Sequence, residues 1–111
     1  MASTETTPLA FAGLREQARV LAAREASARE LVELAVSRID RTRETLNAFR
    51  CVRAEAALAE AEEADRRLAA GERLPLLGVP VAVKDDMDVA GESTNFGCAG
   101  AVEARAEDGE V

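Results

Sequence analysis

The chain contains no histidine, no tryptophan and no tyrosine, and Lys84 is its single lysine. Without histidine it lacks the usual general base and the commonest metal ligand. Cys51 and Cys98 stand far apart, without the short spacings of metal sites, and no histidine is present to help either form a nucleophilic thiolate. We therefore expect no metal, no cofactor and no catalytic cysteine.

Large side chains are also scarce, since the aromatic residues of this 111-residue chain are three phenylalanines. Alanine dominates the 48% of residues that are apolar. The length allows one domain at most, and small domains bury a lower fraction of their surface than large ones. We expect a thin core.

The net charge of −7 is concentrated near the end of the sequence, because residues 84–111 contain eight acids and two bases, a net charge of −6. An acidic chain without a basic stripe is a poor partner for phosphate backbones, so we expect no nucleic-acid binding. The apolar runs are too short for a membrane span, and no secretory signal is recognisable. We expect a soluble cytoplasmic protein without a membrane partner.

Hydrophobic spacing predicts three helices after a flexible leader at residues 1–10. Ser27 and Glu30 form a capping-box pattern that opens the second helix, and Gly71 closes the third in the position that glycine prefers just past a helix end. The predicted face of the second helix comprises Leu31, Leu34, Ala35 and Ile39. The three predicted helices span about Phe11–Arg24, Ser27–Arg43 and Arg53–Ala70.

Two segments predict strands. Val79–Val83 is a continuous apolar run, which suits a strand covered on both faces, and Ala48–Val52 alternates as a short strand does. The predicted fold class is therefore α/β, with N-terminal helices plus the first strands of a mixed sheet. The alanine-rich, acidic segment Ala101–Val111 is interpreted as the start of another helix.

Lys84 ends the apolar run and is the candidate catalytic residue. If it lies buried at the carboxyl end of a central strand, desolvation favours a neutral amine that can take a proton from a serine hydroxyl. Asp85, Asp86 and Asp88 favour the charged ammonium instead, and at most one of the first two is expected beside the amine. The alternative is a solvated lysine where a strand emerges into water, and composition alone favours that interpretation somewhat.

The residues around Lys84 resemble the start of the amidase signature family. Leu77–Asp85 reads LGVPVAVKD, and Asp88–Gly91 reads DVAG before a loop that contains Thr94. The family pattern is similar to G-(I/V)-P-(V/I)-x-(V/I)-K-D-x-x-D-(V/T)-x-G. The similarity runs from about Leu14 to Gly100.

The resemblance implies a mixed sheet surrounded by helices, here incomplete, with residues 11–111 as its N-terminal portion. It also implies hydrolysis of carboxamides by a Ser–Ser–Lys triad in which Lys84 is the base. The family's two serines lie downstream of the lysine, and the chain's own serines match neither, so we expect the chain to be inactive alone. The serines of this chain are Ser3, Ser27, Ser37 and Ser93.

Three residues depart from the family pattern. Asp86 stands where asparagine is frequent, Met87 where isoleucine or leucine is usual, and Cys98 where serine is common. Asp86 adds negative charge near the lysine, and the other two changes have little consequence for chemistry.

Other functions stay open at this point. The partner implied by the resemblance is a small-molecule carboxamide, and a homodimer is an open alternative. The amidase-like component of a transamidating amidotransferase complex looks the same as a stand-alone amidase over this range. A small helical interaction module without catalysis would use the helices and the acidic tail instead. A decayed or regulatory gene product has no specific support.

Overall fold

The computed structural model describes residues 9–98, 106, 107 and 109. The chain divides into two compact units, Met1–Pro80 and Val81–Val111. Most of the predicted leader and of the predicted C-terminal helix lies outside the described residues. In the first unit, three helices have both ends described: α1 (Leu14–Ala22), α2 (Ala28–Thr42) and α3 (Ala54–Ala69).

The predicted fold class is wrong for this structure. Instead of an α/β arrangement with the first strands of a mixed sheet, the regular secondary structure of the described residues is all helical, without a β-strand. Ala48–Val52 and Val79–Val83 are irregular, and Val81 is 63% exposed. A strand is stable only when neighbouring strands accept and donate along its ladder, and the described residues place no such neighbour beside either segment. An apolar run alone is therefore not enough to make a strand.

The start of α2 is held by two side chains that accept its unpaired amides. The Ser27 hydroxyl accepts from the Glu30 amide at 3.0 Å, which confirms the predicted helix cap. The Asp65 carboxylate reaches across from α3 and accepts from the Ala28 amide at 2.7 Å and the Arg29 amide at 3.2 Å. Amides that helix geometry leaves without partners are thus satisfied partly by a residue 37 positions away.

The end of α3 forms the hydrogen-bond pattern that a left-handed glycine allows. Gly71 has a φ of 92°, its amide donates to the Leu68 carbonyl at 3.0 Å, and the Glu72 amide donates to the Arg67 carbonyl at 3.0 Å. The Arg67 guanidinium also donates to the Glu72 carboxylate at 2.6 Å, and this hydrogen bond lowers the pKa of Glu72. The predicted stop at Gly71 is confirmed.

The core of the first unit lies where α2 packs against α3. Leu21 of α1 is fully buried, and small side chains on α3 let the helices approach closely. No polar or charged residue is buried as a whole among the described residues. The buried apolar cluster comprises Leu21, Ala28, Leu31, Val32, Ala61, Ala64 and Leu68.

Gly78 lies against this core, and Gly71 is its natural control. Both have a positive φ, 89° and 92°, so alanine at either position meets the same left-handed backbone penalty of about 1–2 kcal/mol. A Cβ at position 78 would lie 3.1 Å from the Ala28 Cβ and 3.3 Å from the Leu21 Cδ1, whereas position 71 has no neighbouring atom within 4 Å. We expect Gly78→Ala to lower the free energy of unfolding by about 1 kcal/mol more than Gly71→Ala in urea titrations followed by circular dichroism. Equal losses would show that the junction is not tightly packed.

Asp65 gives a second test of this unit. Asp65→Ala removes the acceptor of two amides and should lower the free energy of unfolding by about 1–2 kcal/mol in the same titrations. Glu62→Gln is the matched control, because Glu62 also reaches from α3 to α2, where it pairs with Arg29 on the exposed surface. Exposed pairs contribute little, so the control should stay within about 0.5 kcal/mol of the unsubstituted chain. A control that is as damaging as Asp65→Ala would contradict the capping role.

Candidate functional site

Lys84 lies in the second unit, on irregular backbone just before a turn. Its side chain is 82% exposed, and its Nζ lies 3.4 Å from the Asp86 Oδ2. The carboxylate beside the amine is thus that of Asp86, whereas Asp85 faces a loop. The buried environment expected at a strand end is not present around Lys84 in the described structure, because the strand itself is absent. The base role of Lys84 stays a prediction.

The backbone that follows Lys84 is held by its own hydrogen bonds. The Met87 amide donates to the Lys84 carbonyl at 3.2 Å, which closes a turn. The Phe96 amide donates to the Asp85 carbonyl at 2.8 Å. The side chain of Lys84 therefore projects into solvent from a main chain that is fixed on its C-terminal side.

The Asp85 carboxylate binds the loop that carries Thr94–Cys98. One oxygen accepts from the Asn95 amide at 3.0 Å and the other accepts from the Gly97 amide at 3.2 Å. The neighbouring Asp88 carboxylate accepts from the Thr94 hydroxyl at 2.6 Å. Sequence reasoning treated these acids as charges near the lysine and missed their structural role. The segment is rich in Asp, Asn and Gly, a composition typical of turns in which side chains accept hydrogen bonds from nearby backbone, and this was the available signal.

Among the described residues, Asn95 has the one buried side-chain polar atom without a hydrogen-bond partner. Its Oδ1 is buried without a hydrogen-bond donor. The Asn95 carbonyl in turn accepts from the Cys98 amide at 2.9 Å. Residues 94–98 thus form a tight turn whose amides mostly point toward Asp85.

The cysteines and acids do not gather into a metal site in the part of the chain that is described. Cys51 and Cys98 are both exposed. Among the described residues, no helix combines the length and apolar character that crossing a bilayer requires.

Comparison with known proteins identifies the relatives of this chain. The family model described as Amidase matches residues 30–111. A Mycobacterium tuberculosis protein provisionally named amidase AmiB2 is 52% identical over 107 residues, which are 96% of this chain and 23% of the relative. A glutamyl-tRNA(Gln) amidotransferase subunit of Dechloromonas aromatica is 47% identical over 74 residues, which are 67% of this chain and 15% of that protein.

A solved structure shows the same local fold. It is an inhibitor-bound complex described as a vestigial protein complex that reveals the evolutionary origins of an s-triazine catabolic enzyme. It matches with a TM-score of 0.76 and 38% sequence identity, over 82% of this chain and 20% of that one. The chain spans less than a quarter of the length of these relatives. Because the family model covers well over half of the chain, the chain belongs to the amidase family.

Proposed function

We propose that the chain is part of a hydrolase that cleaves carboxamide C–N bonds and that Lys84 is its general base. The observation that carries the proposal is the family match over residues 30–111, which includes the segment LGVPVAVKD that ends just after Lys84. The substrate is a small-molecule carboxamide, the enzyme is cytoplasmic, and a homodimer is compatible with the proposal. By the family resemblance, the triad also needs two serines that match no serine of this chain.

In the first step of the proposed reaction, one proton passes through Lys84. The neutral Nζ accepts it from the serine hydroxyls of the triad, and the nucleophilic serine oxygen attacks the carboxamide carbon. The C–N bond breaks as the proton passes to the leaving nitrogen, which departs as ammonia or an amine. Water then releases the acyl group as a carboxylic acid, and the Lys84 amine again accepts a proton and returns it.

The exposure of Lys84 sets a condition on this mechanism. A lysine base must be shielded from water, whereas the Lys84 side chain is 82% exposed and its Nζ lies 3.4 Å from the Asp86 carboxylate. The complete enzyme must therefore shield Lys84 from water with residues outside those described. For the same reason the 111-residue chain should not hydrolyse amides by itself.

A second function is supported by the amidotransferase relative. The match to the glutamyl-tRNA(Gln) amidotransferase protein covers 67% of this chain. Under this alternative the released ammonia is transferred to an acceptor instead of being lost to water. Amide hydrolysis by the purified complete protein favours the amidase. Activity that requires glutamine, an aminoacylated tRNA and further protein components favours the amidotransferase.

Lys84→Arg in the complete protein tests the base role. Arginine keeps the positive charge but does not give up its proton, so turnover should fall by about 10²–10⁴-fold. The measurement is ammonia released from simple aliphatic and aromatic carboxamides, with folding checked by thermal unfolding.

The control for that test is Arg66→Gln, because Arg66 pairs with Glu63 on the exposed face of α3. Its turnover should match that of the unsubstituted enzyme. If Lys84→Arg retains full turnover while the control behaves as expected, Lys84 is not the base.

A further inference from the structure

Asp85 accepts three hydrogen bonds from the backbone amides of one loop. Its two carboxylate oxygens accept from the Asn95 and Gly97 amides at 3.0 and 3.2 Å, and its carbonyl accepts from the Phe96 amide at 2.8 Å. Three consecutive amides of one loop therefore donate to a single residue. Hydrogen bonds to a charged acceptor are about twice as strong as neutral ones.

The loop adopts a backbone conformation that needs such support. Phe96 has a φ of 54°, in the left-handed region that residues with a Cβ rarely adopt. The residue is 69% exposed, so packing of its ring does not compensate for this conformation. The amides on either side of it donate to Asp85, which is the contact that can hold the turn.

Asp85 directly follows Lys84 in the chain. The Lys84 carbonyl accepts from the Met87 amide, and the Asp85 carbonyl and carboxylate are bound to the loop. The main chain from which the Lys84 side chain leaves is thus anchored on its C-terminal side. Asp86 is the acid beside the amine, so the two neighbouring carboxylates have separate environments.

We infer that Asp85 is a positioning residue: by binding the Asn95 and Gly97 amides, it fixes the backbone that places Lys84 for proton transfer. The inference rests on the proposed base role of Lys84. Positioning contributes to rate because a displacement of about 1 Å can slow a reaction by roughly 100-fold. Asp85 itself need not touch the substrate.

The kinetic test uses Asp85→Asn in the complete protein. Asparagine has nearly the same size, but its NH₂ group cannot accept from an amide, so at least one of the two loop bonds is lost. We expect kcat to fall about 10- to 100-fold with KM changed less than about twofold. Each rate is divided by the number of active sites, counted from complete labelling with a fluorophosphonate, so that a merely unstable variant is not scored as a slow one.

A rescue variant separates positioning from general damage. Phe96→Gly removes the left-handed penalty, so the double variant Asp85→Asn/Phe96→Gly should recover part of the lost kcat. An unchanged kcat per active site in Asp85→Asn would overturn the inference, and so would a double variant no faster than Asp85→Asn.

The structural test uses the 111-residue chain and does not depend on activity. The Asn95 and Gly97 amides should exchange slowly with solvent in ¹⁵N NMR spectra, and Asp85→Asn should remove the protection of at least one of them. Asp86→Asn is the control and should leave both amides protected, because Asp86 lies beside the Lys84 amine. Amides that exchange equally fast in all three proteins would show that the loop contact does not form. If the contact forms but Lys84→Arg is fully active, the proposed function fails and the loop contact stands.

Discussion

The position of α2 along α3 depends on the hydrogen bonds that the Asp65 carboxylate accepts from the first amides of α2. The faces that α2 and α3 present to each other are mainly alanine and leucine, which offer little relief to fix one helix along the other. Two amides at 2.7 and 3.2 Å fix that position, because a slide of one residue, about 1.5 Å, would break both bonds. The buried apolar surface drives the association, and Asp65 selects one arrangement of it.

Asp85 solves a related problem in the second unit. That unit has no helix or strand among its described residues, so its turns are held by side chains that accept from backbone amides. Asp65 and Asp85 each bind two amides through the two oxygens of one carboxylate. A chain with three aromatic residues cannot order its loops by burying large rings. Carboxylates that accept from backbone amides can order these loops without any buried ring.

Sequence reasoning succeeded where the determinants are close in the chain. The cap at Ser27 and the stop at Gly71 each involve residues within five positions, and both are confirmed. The strand at Val79–Val83 is wrong because strand formation depends on distant partners that no local pattern reveals. The buried face of α2 is shifted toward Ala28 and Val32, since the position of α3 decides which side is covered. The Asp65 contacts span 36 and 37 residues, so composition could not predict them.

The proposed base role of Lys84 sets two requirements, and the described structure meets one of them. One is geometric: the main chain at Lys84 and Asp85 must be held in place, and the bonds from Met87 and Phe96 provide this within the second unit. The other is burial: a lysine base must be shielded from water, and the Lys84 side chain is 82% exposed beside the Asp86 carboxylate. Short hydrogen bonds in one segment can satisfy the first requirement, whereas exclusion of water needs atoms on every side of the amine. Under the proposed function, the segment around Lys84 therefore places the amine, and the shielding of the amine from water must come from residues outside those described.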